Sequence, residues 1–193
     1  MRESRLQFTD KERLDPVMGK AVQKAEKAAD KAEQLAILES SLQDVTQIIC
    51  DIYSRFRFEA MVFEHRQEQF MNAETLCGLM TKAQEQSYGD GLDPDCRHPY
   101  MWICKSHYYG PTFYNFPYAF GGLFARGLYA QYEKEGASFV PKYKKLLYTT
   151  PIATAEDTAK VAGIDLTDKD FWRAALQTIA DQIDLFCGLV EEK

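Results

Sequence analysis

The sequence predicts an all-α fold, a helical bundle of roughly six helices with one long helix near the N-terminus. Apolar residues recur every three or four positions through most of the chain, and neither Gly nor Pro interrupts residues 20–71. Farther on, Gly, Pro and helix-capping residue types recur at intervals of about one helix length. The 193 residues suit one domain, which we place at 19–193, after an irregular N-terminal tail at 1–18.

The composition argues against two classes of partner. The chain carries 29 Asp and Glu against 23 Lys and Arg, whereas non-specific nucleic-acid binding draws on an excess of basic residues. No apolar run approaches the ~18–20 residues that span a bilayer, and the polar N-terminus does not resemble a signal peptide. We therefore expect a cytoplasmic protein with no nucleic-acid or membrane partner. Its five scattered cysteines indicate reduced thiols.

From Lys20 the chain is predicted to be helical for about 45 residues, as one long helix or as two nearly continuous ones. Aromatic residues crowd the C-terminal end of this stretch, which favours packing in a bundle over a coiled coil. Its apolar seam consists of Ala21, Ala25, Ala28, Ala32, Leu35, Leu38, Leu42, Val45, Ile49, Ile52 and Phe56.

Later helices are predicted from their caps and breaks. Asn72 is a good N-cap for a helix that ends near Gly89, and a loop follows with a short extended piece around 101–104. The next helix is predicted over 113–133, where Pro117 either kinks it or marks its true start. Gly121, Gly122 and Gly127 would allow a neighbouring helix to approach closely.

Three helices are predicted after Gly136. The first is short and covers about 139–147. Thr154 caps the second, which Gly163 ends. Asp168 or Asp170 opens the last, an amphipathic helix near the C-terminus.

The stretch 98–132 is the most informative part of the chain, because it holds most of the eleven tyrosines and two of the three histidines. A buried tyrosine needs a partner for its hydroxyl, so such a cluster makes a wall that is both apolar and hydrogen-bonding. That composition is typical of a ligand cleft.

The candidate site residues are His107, Tyr108, Tyr109, Tyr114 and Tyr118. They fit two interpretations equally well. One is a buried aromatic cluster between helices, which is common. The other is a set of hydrogen-bond donors over a substrate carbonyl, where a tyrosine or imidazole can stabilise a developing oxyanion.

A resemblance to a known family runs from about Leu35 to the C-terminus. It is carried by residues 35–59, 87–132 and 163–186, and most specifically by HYY at 107–109 followed by FYNFPYAFG at 113–121. In these stretches the chain resembles the C-terminal region of oligoendopeptidase F, a zinc metallopeptidase related to thimet oligopeptidase.

The resemblance implies a role for each candidate residue. Members of the family are almost wholly α-helical and cleave short peptides inside a deep channel. By their motif positions, Tyr114 and Tyr118 would sit over the scissile carbonyl as catalytic oxyanion stabilisers, and which of the two faces the carbonyl stays open. His107, Tyr108 and Tyr109 would bind the substrate, and Tyr109 is also a reserve candidate for the oxyanion role.

The chain departs from the family in one respect. The family holds its zinc with H-E-x-x-H plus a glutamate on a following helix, and H-E-x-x-H is absent from this sequence. We therefore expect no metal ligands and no cofactor in this chain, although full-length members use zinc, and we expect it to be inactive alone.

Two main interpretations follow. The first is a C-terminal fragment or truncated homologue of an oligoendopeptidase F-like peptidase. It would bind short peptides and would associate with itself as a homo-oligomer or with the missing N-terminal catalytic half. The second is a non-catalytic helical protein that binds peptides or self-associates. A weaker third one is a metal protein that uses Cys96, His98, Cys104 and His107, whose spacing matches no usual zinc pattern.

Overall fold

The computed structural model describes residues 20–191, and the predicted tail at 1–18 lies outside the described residues. Residues 20–191 are largely helical and contain no β-strand, which confirms the predicted all-α class. Each of the six predicted helices has a helical counterpart in this range, and the long one is divided. None of the helices in the described part is long and apolar enough to cross a membrane.

Nine α-helices follow one another in the described range, and the longest connections lie on either side of Met101–Cys104. The α-helices are α1 (Lys20–Glu26), α2 (Lys31–Thr46), α3 (Ile52–His65), α4 (Ala73–Tyr88), α5 (Met101–Cys104), α6 (Phe116–Glu135), α7 (Val140–Thr149), α8 (Ala155–Val161) and α9 (Lys169–Glu191). A π-helical turn, Gln47–Asp51, joins α2 to α3. Turns of 3₁₀ helix lie at Pro94–Cys96, Ser106–Tyr109 and Gly136–Phe139.

The predicted long helix is interrupted once, at 27–30, and then continues from 31 to 65 through the π-helical turn. At the break, the Asp30 side chain accepts a hydrogen bond from the Glu33 backbone N–H at 2.9 Å. The Glu33 carboxylate in turn accepts from the Ala29 N–H at 2.7 Å. These reciprocal bonds resemble a capping box, so α2 has a start of its own within the uninterrupted alanine pattern.

The predicted caps are confirmed. The Asn72 side chain accepts from the Thr75 N–H at 2.8 Å and starts α4. The Thr154 hydroxyl accepts from the Asp157 N–H at 3.1 Å and starts α8. Asp168 accepts from the backbone N–H two residues on, at the start of α9. Each bond satisfies a backbone donor that the first helical turn leaves without a partner.

The central stretch differs from the prediction in two details. The helix predicted over 113–133 begins at Phe116, so Pro117 lies in its first turn, where its missing N–H removes no helical hydrogen bond. The extended piece predicted around 101–104 is wrong, because these residues form the helical turn α5. As a helical turn, this segment lets Met101 and Trp102 pack against the core formed by α3 and α4.

The described residues divide into two compact units, one of residues 43–122 and one that combines 20–42 with 123–191. The core of the first unit consists of Phe58, Met61, Leu79, Met80 and Ala83 from α3 and α4. The core of the second consists of Leu128, Phe139, Leu146, Ala159, Ala162, Ile164 and Phe171. The single domain at 19–193 stays a prediction.

Two of the three glycines predicted to permit close approach do so. A Cβ atom on Gly122 would lie 2.8 Å from Ile48 Cγ2, within the first unit. A Cβ atom on Gly127 would lie 2.3 Å from Phe171 Cζ, in the core of the second unit. A Cβ atom on Gly121 would meet nothing within 4 Å. Close packing thus depends on Gly122 and Gly127 alone among the three.

We expect Gly127→Ala to lower the free energy of unfolding by about 1–3 kcal/mol, because the buried Phe171 ring has to move away from the added methyl group. The matched control is Gly121→Ala in the same helix, which gains helix propensity without a steric conflict. That change should raise the free energy of unfolding by up to about 1 kcal/mol. Urea denaturation of both variants measures the difference, and equal effects would contradict the close approach at Gly127.

Candidate functional site

Three of the predicted site residues meet in the unit 43–122. The His107 Nε2 atom lies 3.3 Å from the Tyr118 hydroxyl oxygen. The His107 ring stacks on the Tyr114 ring with centroids 5.9 Å apart, and the Tyr118 ring meets both edge-on at 5.7 and 6.0 Å. Each ring therefore contacts the other two at distances typical of attractive aromatic pairs. We call this set the His/Tyr cluster.

Two separate turns bring the His/Tyr cluster together. His107 lies in the 3₁₀ turn Ser106–Tyr109, whereas Tyr114 precedes α6 and Tyr118 lies in its first turn. Two backbone hydrogen bonds form the second turn. The Phe116 N–H donates to the Phe113 carbonyl at 3.1 Å, and the Tyr118 N–H donates to the Asn115 carbonyl at 3.3 Å. Tyr114 and Tyr118 therefore project from consecutive turns of the chain.

The two tyrosines of the cluster are accessible from solvent, since each is 47% exposed. His107 is half-buried, and its Nδ1 atom is buried without a hydrogen-bond partner. The tautomer of His107 decides whether Nε2 donates to Tyr118 or accepts from it. Phenol and imidazole groups in this arrangement can donate hydrogen bonds to a carbonyl oxygen that approaches from solvent.

Tyr108 and Tyr109 lie apart from the His/Tyr cluster. The Tyr108 ring meets Phe58 edge-on at 5.1 Å and packs against the core of the unit. Burial raises the pKa of Tyr108 well above its usual value. The exposed Tyr109 donates its hydroxyl proton to the Trp102 carbonyl at 3.1 Å. Their role in substrate binding stays a prediction.

Sequence reasoning missed a group of buried polar residues beside the cluster. Glu59 on α3 is only 7% exposed and accepts a hydrogen bond from the Phe113 N–H at 2.8 Å. Arg55, one turn earlier, is also buried and pairs with Asp51. Asn115 is fully buried, and neither its amide nitrogen nor its amide oxygen has a partner. The available signal was that Arg55 and Glu59 interrupt the aromatic run of α3.

No three His, Cys, Asp or Glu side chains in the range 20–191 lie together as they would around a metal ion. Cys96 and Cys104, two of the weaker metal candidates, are exposed free thiols. The absence of a zinc site from this chain stays a prediction, and we assign no step to a metal ion.

Tyr88, at the end of α4, has a raised pKa that can be tested through the dependence of stability on pH. Burial, reinforced by the charges of Asp51 and Cys50 and opposed by Arg55, raises the pKa of Tyr88 to about 12. The folded state therefore keeps its proton at a pH where an unfolded tyrosine, with a pKa of about 10, has lost it. This contribution to stability is complete below pH ~10 and is lost as the pH rises through about 12.

We expect Tyr88→Phe to flatten the dependence of stability on pH between 10 and 12, because phenylalanine does not ionise. Tyr88 is only partly buried, so solvent screens part of the effect and the difference from wild type should stay below the ~2.7 kcal/mol that two pKa units represent. Urea denaturation at pH 8 and pH 11 measures it, with pH 8 as the internal reference. Parallel pH profiles of wild type and variant would contradict the assignment.

Comparison with known proteins gives one distant relationship. The chain is 26% identical over 156 residues to oligopeptidase PepF of Bacillus subtilis (strain 168). The aligned part is 80% of this chain and 23% of that protein, so the chain spans less than a quarter of the relative's length. No protein-family model and no solved structure matches. The resemblance seen in the sequence is thus confirmed as a loose link to a peptidase.

Proposed function

We propose that this chain contributes a peptide-contacting wall to an oligopeptidase related to PepF. The observation that carries the proposal is the convergence of His107, Tyr114 and Tyr118 from two separate turns, with both tyrosines half-exposed. The distant match over 156 residues supports a peptidase-related role. Short peptides are the proposed ligands.

The chemistry of the His/Tyr cluster is hydrogen-bond donation. Tyr114 and Tyr118 would donate to the carbonyl oxygen of the scissile bond and stabilise the negative charge that develops there. His107, which contacts both rings, would bind the peptide backbone. Donors without an activated nucleophile do not hydrolyse a peptide. We therefore propose that the chain holds no cofactor and is inactive unless a catalytic N-terminal half completes the site.

A second candidate function is non-catalytic peptide binding with self-association. Exposed apolar side chains around the end of α7 favour it, because such patches on a protein surface often meet a partner. The most exposed are Tyr148 and Ile152, at 81% and 83%. In this second candidate the His/Tyr cluster holds a peptide without a cleavage step, and a second copy of the chain covers the patch.

We expect Tyr114→Phe and Tyr118→Phe each to weaken the binding of short peptides about 3- to 10-fold, the usual value of one hydrogen bond. Tyr148→Phe removes a hydroxyl from an exposed tyrosine far along the sequence and is the matched control, with unchanged affinity. Fluorescence anisotropy with a labelled peptide library measures the dissociation constants. Wild-type affinity in the double variant, or no peptide binding by the wild type, would contradict the proposal.

We expect the purified chain to contain no stoichiometric zinc and to cleave no quenched fluorescent peptide, with or without added zinc. Elemental analysis and the cleavage assay measure the two properties, with Bacillus subtilis PepF as the positive control for the assay. Stoichiometric zinc with chelator-sensitive cleavage would contradict the proposed dependence on another half. That result would support a metal site at the Cys and His residues of 96–107.

A further inference from the structure

The residue that precedes Tyr114 has an unusual backbone conformation. Phe113 has φ = 55°, and it is the one non-glycine residue with positive φ in the described range 20–191. A bulky side chain is disfavoured in this left-handed region because its Cβ atom crowds the following carbonyl oxygen. Such a conformation persists only where the surrounding structure holds it.

Three residues on one face of α3 hold Phe113. The Phe113 ring lies between the rings of Phe56 and Phe63, at centroid distances of 5.3 and 5.5 Å. Between these two positions, one turn from each, Glu59 accepts the hydrogen bond from the Phe113 N–H at 2.8 Å. Side chains at spacings of three and four share a helix face, so ring and backbone of Phe113 are held from the same surface.

We propose that Glu59 is a positioning residue, whose hydrogen bond to Phe113 keeps Tyr114 stacked on His107. Tyr114 follows Phe113 directly, so a return of Phe113 to negative φ would redirect the Tyr114 side chain. The Tyr114 ring would then leave its stacked position, 5.9 Å from the His107 ring. The part of the inference that concerns peptides rests on the proposed function, and the part that concerns the geometry of the cluster does not.

The incomplete hydrogen bonding of Glu59 supports a positioning role over a purely stabilising one. Its Oε2 atom is buried without a partner, although a buried carboxylate is stable only when its oxygens are well paired. Asn115, two residues after Phe113, is likewise buried with an unpartnered amide. Strained and unsatisfied groups of this kind concentrate at functional sites. Here they lie on both sides of Tyr114.

The test compares Glu59→Leu with Glu59→Gln. The first variant removes the acceptor, whereas the second keeps a carbonyl oxygen and should rescue the geometry. Glu64→Leu makes the same change at an exposed position of the same helix and is the control. The readout is the NMR signal of the His107 ring, which the stacked Tyr114 ring shifts. The indole signal of Trp102, which packs against the core of the same unit, provides an internal reference for folding.

We expect Glu59→Leu to move the His107 signal toward that of an unstacked imidazole while the Trp102 indole signal is unchanged, and to weaken peptide binding roughly tenfold or more. Glu59→Gln and Glu64→Leu should keep wild-type values. A His107 signal in Glu59→Leu identical to that of the wild type would overturn the inference. If the wild type binds no peptide, the proposed function fails, and the His107 signal still decides on the positioning role.

A second measurement covers the case in which Glu59→Leu does not fold. Hydrogen exchange of the Phe113 amide in the wild-type chain reports on its bond to Glu59 without any substitution. Protection of this amide supports the inference. Exchange at the rate of an unstructured peptide would overturn it, because the hydrogen bond would then be absent in solution.

Discussion

Helix α3 buries two of its faces at once, and the site depends on that double burial. One face carries Phe58 and Met61 into the apolar core that α3 forms with α4. The other face carries the three residues that hold Phe113. The apolar core fixes where α3 lies within its unit, and α3 in turn fixes the backbone that precedes Tyr114. The orientation of the His/Tyr cluster is therefore set by packing that lies behind it.

The π-helical turn Gln47–Asp51 directly precedes the polar residues on the buried side of α3. A π-helical turn contains more residues than an α-helical one and so rotates the faces that follow it. After this turn Ile52 remains buried, and Ser54, Arg55 and Glu59 are buried as well. Nearby, the hydroxyl of Ser87 donates to the carbonyl of Cys50, a residue of the turn. The unit thus holds buried charged groups on a helix that continues through the turn without a break.

The chemistry of the site and the distant relationship lead to the same interpretation. A cluster of phenol and imidazole donors suits a carbonyl-bearing ligand, and oligopeptidases act on peptides, whose backbone carries carbonyls at every residue. The cluster supplies hydrogen bonds and no activated nucleophile. In the proposed function, the wall and the catalytic group belong to different parts of one assembled site.

The amino-acid sequence determined the helical class and most helix ends, because caps and breaks act within one turn of the chain. Asn72, Thr154 and Pro117 mark helix starts through their own hydrogen-bonding groups or ring. The sequence also singled out the His and Tyr residues of the cluster by type. The sequence did not decide which tyrosines contact His107 and which pack elsewhere.

Tertiary structure alone decided the conformation of Phe113 and the burial of Glu59. Their hydrogen bond joins residues 54 positions apart, so no local pattern predicts it. The separation of Tyr108 and Tyr109 from the cluster has the same origin, because neighbouring tyrosines differ only in the contacts that distant residues provide. The residues at a helix end determine where the helix stops. The direction of a side chain near that end depends instead on the residues that it packs against.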